Sequence, residues 1–81
     1  MRVRVLAFAR LREVIGSPER SVELPERARV DDAWQALLRE YPALSQERRS
    51  TRAARNGQLV SFEETLCEGD ELALLPPVGG G

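Results

Sequence analysis

The stretch EGDELALLP, residues 68–76, holds the alternation on which the fold turns. Gly69-Asp70 has turn chemistry. The five residues after it read as a strand: Leu72 and Leu74 share one face of an extended chain, Ala73 and Leu75 the other. Pro76-Pro77 ends the run, because proline has no N–H to give a sheet ladder. A strand apolar on both faces suits the centre of a sheet. Its partner lies at the other end of the sequence.

RVRVLAFA, residues 2–9, also alternates. Val3, Val5 and Ala7 point one way; Arg2, Arg4, Leu6 and Phe8 point the other. RLREVIG, 10–16, reads as a helical turn ending at Gly16, with Ser17-Pro18 as the next turn. SVEL, 21–24, is the second strand, and Pro25 closes it. VDDAWQALLREYP, 30–42, is the helix: Val30, Ala33, Trp34, Leu37, Leu38 and Tyr41 form one apolar stripe. Asp31 and Asp32 occupy its first turn, where the helix dipole favours anions, and Pro42 limits its far end. Residues 43–50 read as polar and irregular. RAARNGQLV, 52–60, centres a hairpin on Asn56-Gly57.

The order is hairpin, helix, then further strands. This predicts an α+β protein of the ubiquitin-like β-grasp type. A mixed sheet of about four to five strands packs on one main helix, with the first and last strands parallel at its centre. Residues 1–76 form the domain and 77–81 a flexible glycine tail. The helix covers only one sheet face. With Leu72 and Leu74 beneath it, Ala73 and Leu75 join Leu6 and Phe8 on the open side. Such an apolar cluster marks a partner site, unless the 43–50 loop folds over it.

The 81 residues suffice for one small core, with Phe8, Trp34, Tyr41 and Phe62 as its aromatics. Burial of a cofactor in such a core is not expected. Net charge is −1, so no overall field draws the chain to nucleic acid or membrane. No run approaches a membrane span, and Met1-Arg2-Val3-Arg4 lacks the apolar segment of a signal peptide. A soluble cytoplasmic protein is expected. Cys67 is the single cysteine and histidine is absent. The chain therefore lacks the usual base, a metal cluster and an activated nucleophile of its own. Cys67 is expected as a small semi-buried side chain. Glu63, Glu64, Glu68, Asp70 and Glu71 read as a solvated edge, and Arg48, Arg49, Arg52 and Arg55 as a solvated basic loop without aromatics to stack bases. All twelve basic residues are arginine. Codon composition accounts for that, but a lysine-free chain also offers no side-chain amine to an activated terminus.

The tail ends in three glycines, Gly79, Gly80 and Gly81, after Val78. Glycine takes almost any φ, and residues 77–81 extend at most ~17 Å at ~3.4 Å each. A thin backbone of that reach can present a carboxylate inside another protein's active site. An α-carboxyl titrates near about 3.5 and is a poor acyl donor when ionised. It needs activation, such as adenylation by ATP. A disordered end is the alternative reading of the same glycines.

Three stretches resemble the family of molybdopterin synthase small subunits, ubiquitin-like sulfur carriers: VRVLAFARLREVIG (3–16), NGQLVSFEETLCEGDELALLPPV (56–78) and PPVGGG (76–81). The resemblance implies that a partner similar to ubiquitin-activating enzymes uses ATP to adenylate Gly81. A persulfide sulfur then gives a thiocarboxylate, and the tail, with Gly80 beside the reacting group, donates sulfur to precursor Z within the large synthase subunit. Catalytic residues would lie in the partners, making this chain a non-catalytic subunit. The implied contact surface is Phe8, Leu59 and Leu75, followed by Pro76, Pro77, Val78 and Gly79. Two departures stand out. Gly79 replaces a small polar residue, and Arg55 replaces an aliphatic one, which suggests an edge position for its strand. Carriers for thiamine or tRNA thiolation, and ubiquitin-like protein modifiers, share the terminal Gly-Gly. A plain interaction module with a floppy end is a further alternative.

Overall fold

One parallel pairing and three antiparallel ones build a five-stranded sheet. The structure is a computed structural model and describes residues 1–77. In chain order the elements are β1 (Arg2–Ala7), α1 (Ala9–Ile15), β2 (Glu19–Glu23), α2 (Val30–Glu40), two 3₁₀ turns (Pro42–Gln46 and Arg48–Ser50), β3 (Arg52–Arg55), β4 (Gln58–Val60) and β5 (Glu71–Leu75). The sheet order is β2-β1-β5-β3-β4. β1 and β5 run parallel, with Val5 opposite Leu72 and Ala7 opposite Leu74. β1 pairs antiparallel with β2, and β3 antiparallel with both β5 and β4. This is the expected β-grasp arrangement.

The alternation in the sequence sets the two faces. Val3, Val5, Ala7, Val22, Ala53, Leu72 and Leu74 all lie buried beneath α2. Val30, Ala33, Trp34 and Leu37 supply the helix side of this core, while Leu38 and Tyr41 pack half-buried at its margin. The ring of Trp34 meets that of Phe62 edge-on, with centroids 6.1 Å apart.

The start of α2 is closed by the chain itself. The Asp32 carboxylate accepts the Arg29 N–H at 2.7 Å. The carbonyls of Glu64 and Phe62 accept the N–H groups of Val30 and Asp31, each at 2.9 Å. These are donors that a helix cannot satisfy internally, so the segment after β4 is bound to the helix terminus. Leu66, fully buried, anchors the same segment in the core.

Several expectations need correction. β1 stops at Ala7 rather than 9: Phe8 is the extended N-cap of α1, a two-turn helix that ends at Gly16 in the left-handed region, φ 82°. β2 is Glu19–Glu23 rather than 21–24. The 43–50 segment is not merely polar and irregular, because its 3₁₀ turn delivers Leu44 to the core at 0% exposure. It stays on the helix side and leaves the open sheet face uncovered. Arg55 does not mark an edge. β3 lies between β5 and β4, and the edges are β2 and β4. The Arg55 side chain runs past the end of the core to donate to Glu64 at 3.0 Å and to the Thr65 carbonyl at 2.7 Å.

Cys67 is exposed, not semi-buried. The buried residue of that turn is Asp70, at 9% exposure. Its carboxylate accepts the Cys67 N–H at 2.8 Å and the Asn56 side-chain amide at 2.9 Å. The hairpin turn is thereby fastened to the turn that launches β5. Asn56 and Gly57, at φ 50° and 86°, supply the two positive dihedrals of the tight turn. Glu64 and Glu71 are ion-paired to Arg55 and Arg4, and Arg48 lies 3.4 Å over the Phe62 ring. The acidic and basic groups are thus partly spent on structure rather than simply solvated.

Leu44→Ala should destabilise the fold by ~2–5 kcal/mol, the usual cost of emptying a fully buried leucine site. Leu38→Ala, at the half-buried margin, should cost clearly less. Urea midpoints of the two variants compare them directly, and equal midpoints would remove Leu44 from the core.

Candidate functional site

The open face of the sheet is divided in two. At the β1 start, Arg2 and Arg4 stand opposite Glu23 and Ser21 of β2, and Arg4 opposite Glu71 of β5. Arg2 pairs with Glu23 at 2.9 Å. Arg4 is hydrogen-bonded to Glu71 and lies 3.8 Å from Glu19. The Glu71 hydrogen bond, reinforced by the charges of Glu19 and Glu71, raises the Arg4 guanidinium above its ordinary value. These charges are matched against one another.

The other half is apolar. Register places Leu6 beside Ala73, Ala73 beside Ala54 and Ala54 beside Leu59, a row that crosses β1, β5, β3 and β4. Leu75 and Arg52 are opposite one another in the next row. Phe8 follows β1 at the same end. Among the described residues, Phe8 and Leu59 are the large apolar side chains most open to solvent, at 43% and 61% exposure; Leu6, Ala73 and Leu75 are half-buried. Small alanines at 54 and 73 keep the middle of the row low between Leu6 and Leu59.

The three expected contact residues therefore occupy one end of one face. Leu6 and Ala73 join them, as alternation predicts. Ala54 was not singled out from sequence, although the Asn56-Gly57 turn fixes its pairing with Leu59. Arg52 does not belong to a solvated loop: it stands on this face beside Leu75, with no ion pair among the described residues. Pro76 and Pro77 are exposed and, with Phe8, Leu11, Ser50 and Thr51, line a recess of about 40 Å³ at the root of the tail. Val78, Gly79, Gly80 and Gly81 lie outside the described residues.

Three features fix this geometry. The parallel register brings the end of β5 beside the end of β1. The αL cap at Gly16 turns the chain back from α1 towards β2. The extended backbone of Phe8, φ −128° and ψ 156°, continues the strand direction before α1 begins. Among the described residues there is no cluster of side chains able to hold a metal ion, and no helix long and apolar enough to cross a membrane. The arrangement suits docking: an apolar patch beside the point where the chain leaves the sheet.

The molybdopterin synthase sulfur carrier subunit of Chlamydomonas reinhardtii is 36% identical over 83 residues, covering 100% of both chains. The crystal structure of SAMP1 from Haloferax volcanii, the small archaeal modifier protein 1, matches with a TM-score of 0.88 at 36% identity over 100% of each chain. A chain of the Helicobacter pylori complex of subunits 1 and 2 of molybdopterin-converting factor matches with a TM-score of 0.70 at 27% identity, again over 100% of each. The family description that fits the sequence is the ThiS family, matched over residues 5–81. The chain belongs to the ThiS family.

Proposed function

We propose that this protein is the sulfur-carrying small subunit of a molybdopterin synthase. One spatial observation carries the reading. The apolar end of the open face, with Phe8, Leu59 and Leu75, lies where β5 ends and Pro76-Pro77 begin. A partner seated on that face receives whatever follows Leu75, and the residues that follow include the three glycines. The Helicobacter pylori relative forms a complex between two subunits of the converting factor, which supports a large synthase subunit as the partner here.

In this reading the Gly81 carboxylate attacks the α-phosphorus of ATP on an adenylating enzyme, releasing pyrophosphate. A persulfide sulfur displaces AMP from the acyl carbon. A second thiol then attacks the donor-side sulfur of that acyl disulfide, forming a disulfide with the donor and releasing the thiocarboxylate. The large subunit binds the face, takes in the tail and directs that sulfur to precursor Z. ATP belongs to the activating partner, and this chain holds no cofactor. Side chains that discriminate between partners must lie on the sheet face, because glycines have none to offer. The setting is cytoplasmic, with ATP and the two partner proteins.

A second reading is favoured by the Haloferax relative, which is named as a protein modifier. The same activated Gly81 would then acylate amines of other proteins. The two readings differ in the acceptor. Molybdopterin formed from the thiocarboxylated protein, the large subunit and precursor Z alone supports the first. Amide-linked adducts of Gly81 in host extracts, without molybdopterin in the reconstitution, would replace it with the second.

Deleting Gly80 and Gly81 should abolish ATP-dependent thiocarboxylate formation while circular dichroism stays unchanged; intact mass reads the oxygen-to-sulfur replacement. Normal thiocarboxylation of the truncated chain would sink the assignment of Gly81. Leu59→Glu should shift stability by less than ~0.5 kcal/mol, as at other exposed sites. It should weaken binding to the large subunit by more than ~1 kcal/mol, the loss expected of an interface anchor. Calorimetric titration beside urea unfolding separates the two effects. Unchanged affinity would place the interface elsewhere.

A further inference from the structure

The charges of the open face are unevenly matched. At the β1 start, Arg2 is paired with Glu23, and Arg4 with Glu71 and Glu19. Arg52 stands towards the apolar end and has no such partner among the described residues. Glu71, the carboxylate of this face on the neighbouring strand, lies four residues before Leu75, the residue opposite Arg52. That separation is ~13 Å at ~3.3 Å per residue, beyond the ~8–10 Å over which surface charges stay coupled in salt. Carboxylates of the adjoining loops are engaged elsewhere. Glu47 lies 3.7 Å from Arg10, and Glu64 lies 3.0 Å from Arg55. Glu63 lines a separate recess with Arg29 and Arg48.

The surroundings of Arg52 are apolar. Leu75 is directly opposite on β5. Ala54, two residues on and so on the same face, is opposite Leu59. A recess of about 190 Å³ beside β4 is lined by Thr51, Arg52, Ala53, Leu59, Val60 and Phe62, of which Arg52 alone carries charge.

In the free protein the Arg52 side chain is exposed to water. A partner that covers Leu59 and Leu75 strips water from the guanidinium as well, and a buried charge without a counter-charge is strongly unfavourable. The guanidinium is planar and offers a fork of donors that a carboxylate accepts two at a time.

We propose that Arg52 is the charged specificity contact of the docking face. The large subunit brings an Asp or Glu side chain into the recess beside Leu59, where its carboxylate accepts hydrogen bonds from the guanidinium. The apolar residues supply contact area. The ion pair fixes the register of the partner on the face and rejects proteins with a neutral or basic group at that point. This inference rests on the reading of the face as the site of a large synthase subunit.

The test titrates the full chain and its Arg52→Gln, Arg52→Glu, Leu59→Glu and Arg39→Glu variants into the large subunit of the same host by calorimetry, with urea unfolding of each. Arg39 is exposed on α2, away from the open face, and Arg39→Glu changes net charge as Arg52→Glu does. Arg52→Gln should weaken binding by about 30-fold or more, the loss usual for truncating a buried charge pair, and Arg52→Glu further still. Arg39→Glu should keep wild-type affinity. Raising ionic strength from about 0.05 to about 0.5 M, which shortens the screening length about threefold, should weaken the wild type more than Arg52→Gln. Replacing acidic surface residues of the large subunit by arginine, one at a time, should yield one variant that restores binding of Arg52→Glu. Wild-type affinity in Arg52→Gln, equal losses in Arg52→Glu and Arg39→Glu, or no restoring replacement would overturn the proposal. Weakened Leu59→Glu in the same series leaves the docking reading standing in those cases. A wild-type chain that does not bind the large subunit at all overturns the docking reading, and this inference with it.

Discussion

The parallel pairing of β1 with β5 is the constraint on which the molecule depends. Parallel neighbours cannot be joined by a tight turn; the chain between them must cross over the sheet. Here that connection carries α2, both 3₁₀ turns and the β3–β4 hairpin. All of the helix-side core is consequently recruited to one face. The same pairing aligns the ends of β1 and β5, so the exposed Phe8 and the last residues of β5 share one end of the molecule. A core requirement and the location of the open apolar patch follow from one register.

That register was legible because two short-range patterns agreed. Val3, Val5 and Ala7 alternate with charged or open-face residues, and Leu72 and Leu74 alternate with Ala73 and Leu75. A slip of one residue would have turned either set outward. Asn56-Gly57 likewise fixed a hairpin from its two positive dihedrals. The helix stripe named its core members, with Leu38 and Tyr41 at the margin because their side of α2 is only partly covered.

What the sequence concealed was decided at long range. Leu44 sits among polar residues with no helical or strand periodicity, so its burial depends on where α2 releases the chain. Arg55 looked like an edge marker because a guanidinium is a poor neighbour for a core. Its length instead carries the charge past the core to Glu64 and the Thr65 carbonyl. Asp70 and Cys67 exchanged their expected environments for a related reason. The carboxylate has two partners, the Asn56 amide and the Cys67 N–H, that lie together only when the hairpin meets the last turn. Hydrogen bonding makes the burial of such a group tolerable, and sequence spacing does not reveal a partner such as Asn56, 14 residues away.

The edges of the sheet bear on colloidal behaviour. A protein that keeps an apolar patch open on a sheet risks polymerising strand to strand with its own copies. Here β4 is only three residues long, and β2 carries Glu19, Arg20 and Glu23. Neither rim offers a long, flat, apolar template. The sticky region instead faces along the sheet normal, where recognition depends on side-chain shape rather than on free backbone groups. Edge-to-edge pairing of copies is thereby disfavoured by the same sheet that leaves its apolar patch open.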